Sequence, residues 1–335
     1  MDFQGQHIVS IEQFDLQAVE AVLQLAAQMT PYVNRQKGSR VLDGASLASL
    51  FFEPSTRTRV SFASAFHLLG GKVMETTGMG TSSLTKGESL FDTAQVISGY
   101  ADAIAMRHPQ AFSVSEFAKG ATVPVLNGGD GANEHPTQAL LDTFTIFDEL
   151  QRLGKAQSPI RIALVGDLKN GRTVHSLSRV LSIFPKIEFT FVAPNALTMP
   201  EKIVAQCDDA HHRINFTQDL IQGIQNQDIV YMTRVQEERF ETQEEADLYR
   251  GKYRLTQSIY DKYCAPNTII MHPLPRDSRL EANELSDDLN KNPNLAIFRQ
   301  SQNGVKVRMA LFALVLGVDK QLAQHEVAIN WRSRQ

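Results

Sequence analysis

Several short runs of this chain carry the residue types that recognise anions. Glu53-Pro-Ser-Thr-Arg-Thr-Arg59 follows an apolar stretch, 47–52, and leads straight into a helical pattern. Ser55, Thr56 and Thr58 offer hydroxyl donors, and Arg57 adds a planar guanidinium fork. The first turn of a helix also leaves backbone N–H groups unsatisfied at the positive end of its dipole, so the run reads as a phosphate cradle. Helix capping by Ser55 or Thr56 is the competing explanation. A second run, Thr81-Ser-Ser-Leu-Thr-Lys-Gly-Glu88, is polar, has glycines at 78, 80 and 87, and carries Ser83 and Lys86. It reads as a loop able to reach over a site, with a plain solvated loop as the alternative.

Arg107 and His108 end another apolar run, and Asn127-Gly-Gly-Asp-Gly-Ala-Asn-Glu-His-Pro-Thr-Gln138 follows a third. His135 stands directly before Pro136, a proline placed to open a helix. There the dipole disfavours a protonated ring, and a neutral imidazole can donate one hydrogen bond to a carbonyl oxygen. Gln138 lies one turn further on.

The second half repeats the theme. Gly166-Asp-Leu-Lys-Asn-Gly-Arg-Thr173 lacks the G-x-G-x-x-G spacing of a dinucleotide fold. It comes within one residue of a nucleotide P-loop, with Arg172 in place of the lysine. An arginine at such a turn suits a planar carboxylate better than a magnesium triphosphate, yet a nucleotide-binding scaffold stays open at this point. Arg234 and Gln236 follow the run 228–232. In Met271-His-Pro-Leu-Pro-Arg276 two prolines stiffen the backbone and remove N–H donors, leaving carbonyls such as that of Leu274 to face a ligand.

The elements that must hold these residues alternate. Apolar runs at 47–52, 102–106, 123–126, 160–165, 187–192, 228–232 and 268–271 interleave with helical patterns at 59–69, 89–100, 136–150 and 173–184. Alternation of this kind predicts an α/β protein of two doubly wound parallel sheets. The polar stretch 151–159 divides the domains, 1–150 and 151–304, and an apolar helix at 305–318 packs back on the first, taking 305–335 with it. A length of 335 residues accommodates two cores. With 33 basic and 37 acidic residues and no basic block, nucleic acid is not an expected partner. The two cysteines, far apart, suggest neither disulfides nor a metal site, and no long apolar segment or leader is read. A cytoplasmic protein without membrane partner is expected.

Taken in order, STRTR, SSLTKGES, RHPQ, HPTQ, GDLKNGRT, YMTRVQEER and HPLPR resemble the catalytic chains of the aspartate carbamoyltransferases, or aspartate transcarbamoylases, over nearly the whole sequence. The resemblance implies carbamoyl phosphate as donor, L-aspartate as acceptor, and N-carbamoyl-L-aspartate and phosphate as products, in de novo pyrimidine biosynthesis without a cofactor or metal. It further implies that Ser55, Thr56, Arg57, Thr58 and Arg107 hold the phosphate, with Ser83 and Lys86 supplied by a neighbouring subunit of a homotrimer. Thr58, Arg107 and His135 would polarise the carbamoyl oxygen, while Gln138 and the carbonyls of Leu274 and Pro275 would orient its NH2 group. Arg172, Arg234, Gln236 and Lys86 would clamp the aspartate carboxylates, and closure of the two lobes would bring the halves together. Ornithine as acceptor is the alternative, disfavoured because Pro273 stands where ornithine enzymes carry cysteine. Assembly with regulatory chains is left open. The stretch 277–294 diverges from the family's shorter continuation.

Overall fold

The computed structural model describes residues 1–78, 87–156, 158–208, 212–237, 240–279 and 281–331. It separates into two compact units, Met1–Leu141 with Gln302–Gln335, and Asp142–Ser301, so the division falls inside the helix Pro136–Arg152.

The first unit contains β1 (Gly38–Ser39) and a four-stranded sheet of β2 (Ser46–Phe51), β3 (Lys72–Thr77), β4 (Ala103–His108) and β5 (Val125–Asp130). The sheet is parallel throughout, in the order β3-β2-β4-β5. β2 is buried at every residue after Ser46, as expected for a parallel strand covered on both faces. β5 runs on through Gly128 and Gly129, which look like loop residues in the sequence. A Cβ at Gly128 would lie 3.3 Å from the Met106 carbonyl oxygen, so close backbone approach explains the residue type.

In the second unit β6 (Ile160–Val165), β7 (Ile187–Val192), β8 (Arg213–Thr217), β9 (Ile229–Met232) and β10 (Ile269–Met271) form a parallel sheet in the order β10-β9-β6-β7-β8. Both sheets therefore show the expected doubly wound architecture. Within these two parallel sheets, β3 and β8 have no counterpart among the apolar runs read from sequence. Each ends its sheet and pairs on one side only, and both are largely exposed, so neither needed an apolar run.

The last long helix, Ile297–Val315, begins earlier than its apolar part suggested. In the first unit its Phe312 ring packs edge-on against Phe62 and Phe66, with centroids 6.0 and 5.0 Å apart. Phe62, Phe66 and Phe312 are fully buried, each burial being worth about 2–3 kcal/mol. Beyond the helix, β11 (Glu326–Val327) pairs antiparallel with β1. No helix among the described residues is long and apolar enough to cross a membrane.

Candidate active site

Open parallel sheets bind ligands beyond the carboxyl ends of the two strands where the chain's direction of winding reverses. In the first unit the chain steps from β2 out to β3, then returns to the other side of β2 as β4. The reversal lies between β2 and β4, whose ends pair Phe51 with Arg107. STRTR follows β2 and RHPQ ends β4, so two motifs distant in sequence share one sheet crevice.

Ser55 occupies the N-cap position of the helix Thr56–Leu68 with φ −162° and ψ 92°, but its side chain makes no capping hydrogen bond. That removes the capping explanation for Ser55. The helix's backbone ladder opens with Arg59 N–H donating to the Ser55 carbonyl, 3.3 Å, and the amides of Thr56, Arg57 and Thr58 precede it. By surface area Arg57 is exposed. Even so, partial burial of its guanidinium, and then the positive charge of Arg107, press its pKa below the ordinary arginine value. Two guanidinium groups close enough for one to press on the other favour an anion between them.

Arg107 is pre-positioned. Its Nε donates to Glu53 Oε2 at 3.1 Å and Nη1 to the Gly128 carbonyl at 3.3 Å, leaving the rest of the fork for a ligand. The register of β4 against β5 shifts between Met106 and His108, a local irregularity that re-aims Arg107 at the strand end. His108 belongs to the structure of the turn: its Nδ1 accepts from Gln110 N–H at 3.1 Å and its ring packs edge-on against Phe52. Burial, only partly countered by Asp130 and Glu53, lowers its pKa.

His135 is buried, and its carbonyl receives the N–H groups of Gln138 (2.9 Å) and Ala139 (3.2 Å), which start the helix behind it. Gln138 is half-buried one turn along. The loop before His135 is held by two buried carboxylates that the sequence did not single out. Asp130 accepts from Phe112 N, Asn127 Nδ2, Asn133 Nδ2 and Glu134 N at 2.9–3.1 Å. Glu134 accepts from the Ser10 hydroxyl at 3.0 Å and Ile11 N–H at 2.9 Å. Arg308, from the last long helix, donates to Ser61 Oγ at 2.8 Å and Thr137 Oγ1 at 3.2 Å, bracing the residue beside Gln138.

In the second unit the winding reverses between β6 and β9. GDLKNGRT follows β6 and TRVQ follows β9, so Arg172 and Arg234 belong to neighbouring strand ends. Both are half-buried, as is Gln236. Gly166 sits at φ +120°, and a Cβ there would meet the Thr233 carbonyl oxygen at 2.3 Å, so only glycine lets the two loops approach. Thr233 closes the junction by donating from N–H (2.8 Å) and from Oγ1 (3.0 Å) to the Val165 carbonyl. Asp167, fully buried, accepts from Asn170 N at 3.0 Å and from Gln236 N at 3.2 Å, tying the Arg172 loop to the Arg234 loop. It too was not singled out in the sequence.

The HPLPR turn follows β10. Leu274 has φ +58°, a left-handed conformation that costs a leucine about 1–2 kcal/mol, and is joined to Pro275 by a cis peptide. Buried His272 supports the turn: Nδ1 accepts from Leu274 N–H at 2.8 Å, and Nε2 lies 2.6 Å from buried Glu284. Glu284 also accepts from Asp277 N–H at 3.2 Å, so the divergent stretch 277–294 supplies the carboxylate that braces the turn. Ser83 and Lys86 lie outside the described residues. Every other residue named from sequence stands at a strand end or a helix start of its unit. No group of three or more acidic, histidine or cysteine side chains suited to a metal occurs among the described residues.

Residues 6–148 match the family model described as aspartate/ornithine carbamoyltransferase, carbamoyl-P binding domain. Residues 158–315 match that of its Asp/Orn binding domain. The chain is 59% identical over 333 residues to an aspartate carbamoyltransferase catalytic subunit from Cellvibrio japonicus, covering 99% of this chain and 98% of that protein. A Trypanosoma cruzi aspartate transcarbamoylase structure in complex with carbamoyl phosphate and aspartate is 38% identical with a TM-score of 0.84, over 94% of this chain and 98% of that one. The catalytic subunit of M. jannaschii aspartate transcarbamoylase is 39% identical with a TM-score of 0.82, over 92% and 97% of the two chains.

Proposed function

The chain belongs to the aspartate/ornithine carbamoyltransferase family, and from that premise we propose how its own residues divide the work. It transfers the carbamoyl group of carbamoyl phosphate to the amino group of L-aspartate, giving N-carbamoyl-L-aspartate and phosphate. We place the product in pyrimidine synthesis and the protein in the cytoplasm.

Ser55, Thr56, Arg57, Thr58 and Arg107 hold the phosphate, with Ser83 and Lys86 completing the cradle. Thr58, Arg107 and His135 face the carbamoyl oxygen, where negative charge grows as the amine adds to the carbonyl carbon. Gln138 is assigned to the carbamoyl NH2, as are the carbonyls of Leu274 and Pro275. Arg172 and Arg234, with Gln236 and Lys86, take the two carboxylates of aspartate. The amine forms the new C–N bond, the bond from carbon to the phosphate oxygen breaks, and the amine proton passes to the departing phosphate. No covalent enzyme intermediate is required, so catalysis rests on positioning and electrostatic stabilisation.

The observation that carries this reading is the Arg57 and Arg107 pair at the winding reversal, beside a helix start whose N-cap serine makes no cap. Given carbamoyl phosphate and either L-aspartate or L-ornithine, the purified protein is expected to form carbamoylaspartate and negligible citrulline. A faster reaction with ornithine would overturn the acceptor assignment.

We further propose a homotrimer with shared sites. The exposed apolar side chains Val60, Met74, Phe91, Val96 and Tyr100, all in the first unit, support a subunit contact there. Mixing Arg57→Ala subunits with Lys86→Ala subunits, each inactive alone, is expected to restore part of the activity. Restoration follows because some mixed interfaces pair an intact Arg57 with an intact Lys86. No recovery after proven subunit exchange would refute the shared site.

A further inference from the structure

Asp142 is fully buried in the second unit. Its carboxylate accepts from the Tyr231 hydroxyl at 2.7 Å and from Gln300 Nε2 at 2.7 Å. Gln300 Oε1 in turn accepts from His272 N–H at 3.0 Å, and His272 Nδ1 accepts from Leu274 N–H at 2.8 Å. The contacts lead to two parts of the proposed site: Tyr231 lies on β9, the strand that runs into Arg234, and His272 opens the turn of Leu274 and Pro275.

We propose that Asp142 is a positioning residue, whose carboxylate sets the relative placement of the Arg234 and Leu274–Pro275 segments. The inference rests on the reading of Arg234 as a clamp for aspartate and of the Leu274 and Pro275 carbonyls as contacts to the carbamoyl NH2. A buried carboxylate only accepts hydrogen bonds, so it dictates the orientation of the Gln300 amide: Nε2 towards Asp142 and Oε1 towards His272 N–H. Flipping that amide would set oxygen against carboxylate and N–H against N–H. The backbone of the HPLPR turn is therefore keyed to the charge on Asp142. Through Tyr231 the same carboxylate braces β9, the strand that leads into Arg234. Burial, then the charge of Asp142, raise the Tyr231 pKa well above its usual value, so the tyrosine remains a donor across the working pH range.

The polarity of this chain can be reversed. Asp142→Asn leaves one acceptor oxygen where two donors converge, so its NH2 must face either Gln300 Nε2 or a Tyr231 hydroxyl turned to accept, and kcat/KM for aspartate is expected to fall about 10-fold or more. The Kd for inorganic phosphate, which the cradle of the first unit holds without the Leu274 and Pro275 carbonyls, should stay within about twofold. Gln300→Glu alone sets two carboxylates face to face and should be at least as damaging. Combining Asp142→Asn with Gln300→Glu restores alternating donors and acceptors. The amide introduced at position 142 donates to the carboxylate introduced at position 300, and that carboxylate still accepts from His272 N–H. The double variant should recover most of the lost kcat/KM. A merely structural role predicts neither the selectivity for aspartate nor the recovery.

The proposal is overturned by a folded Asp142→Asn with parental constants, by equal weakening of aspartate use and of inorganic phosphate binding, or by a double variant no better than the singles. Should Asp142→Asn fail to fold, Tyr231→Phe removes one donor without adding a charge, and parental aspartate kinetics in that variant would also overturn it. An unsubstituted protein that forms no carbamoylaspartate would instead overturn the functional reading beneath it.

Discussion

Arg107→Ala is expected to lower kcat by about 10²–10³-fold, or about 2.7–4 kcal/mol of transition-state stabilisation, the usual cost of removing a donor from a developing oxyanion. Among the described residues Arg107 is a tightly constrained cation of the phosphate half. Its side chain is only 11% exposed, and Glu53 and the Gly128 carbonyl fix its plane before any ligand arrives. A donor held in advance spends no reorganisation during the reaction, so its loss falls on kcat as well as on carbamoyl phosphate affinity. Arg107→Lys keeps the charge but loses the fork, and should recover only part of the activity. Steady-state kinetics with carbamoyl phosphate varied at saturating aspartate, on variants shown by thermal unfolding to be folded, make the check. A folded Arg107→Ala with kcat within about threefold of the parent would remove Arg107 from the oxyanion role.

Arg234→Ala should strike the other substrate. A bidentate pair between guanidinium and carboxylate contains two charge-assisted hydrogen bonds of about 1.5–3 kcal/mol each. Allowing for overlap between them, kcat/KM for aspartate should fall by about 10²–10³-fold, mostly as a higher KM. Equilibrium binding of carbamoyl phosphate should be unchanged. Arg234 is half-buried and follows Thr233, which two hydrogen bonds lock to the Val165 carbonyl, so the backbone under the guanidinium is rigid. A lysine there places charge without the planar fork and should stand between alanine and the parent. If folded Arg234→Ala bound aspartate normally and lost carbamoyl phosphate instead, the division of labour between the two units would be wrong.

Together the two variants separate the halves of the reaction by readout: one moves kcat and the phosphate donor, the other the KM of the acceptor. Neither effect is expected from His108. Its Nδ1 accepts from its own turn and its ring packs on Phe52, so its adjacency to Arg107 in sequence has no catalytic meaning.

What could be read from sequence alone was what depends on neighbours along the chain. Parallel strands covered on both faces are mostly apolar, so Ile160–Val165 and Ile187–Val192 were legible to the residue despite Arg161, Glu188 and Thr190. Hydroxyls and arginines next to such runs were legible as anion chemistry, because a helix start leaves its N–H groups open wherever it occurs. The order of motifs was enough for the family resemblance.

Tertiary structure alone decided the rest. The edge strands β3 and β8 needed only one paired side and carry no apolar run, so local pattern could not reveal them. Strand order, a non-local property, puts STRTR beside RHPQ and GDLKNGRT beside TRVQ at the two winding reversals. Only the fold could answer the capping question for Ser55, since whether its hydroxyl caps the helix depends on backbone geometry. The carboxylates that hold the site were invisible for the same reason. Ser10 reaches Glu134 across 124 residues, and Gln300 reaches Asp142 across 158. An isolated aspartate or glutamate in a sequence is expected at the surface. It becomes a buried strut only when folding brings distant donors to every lone pair that burial takes from water.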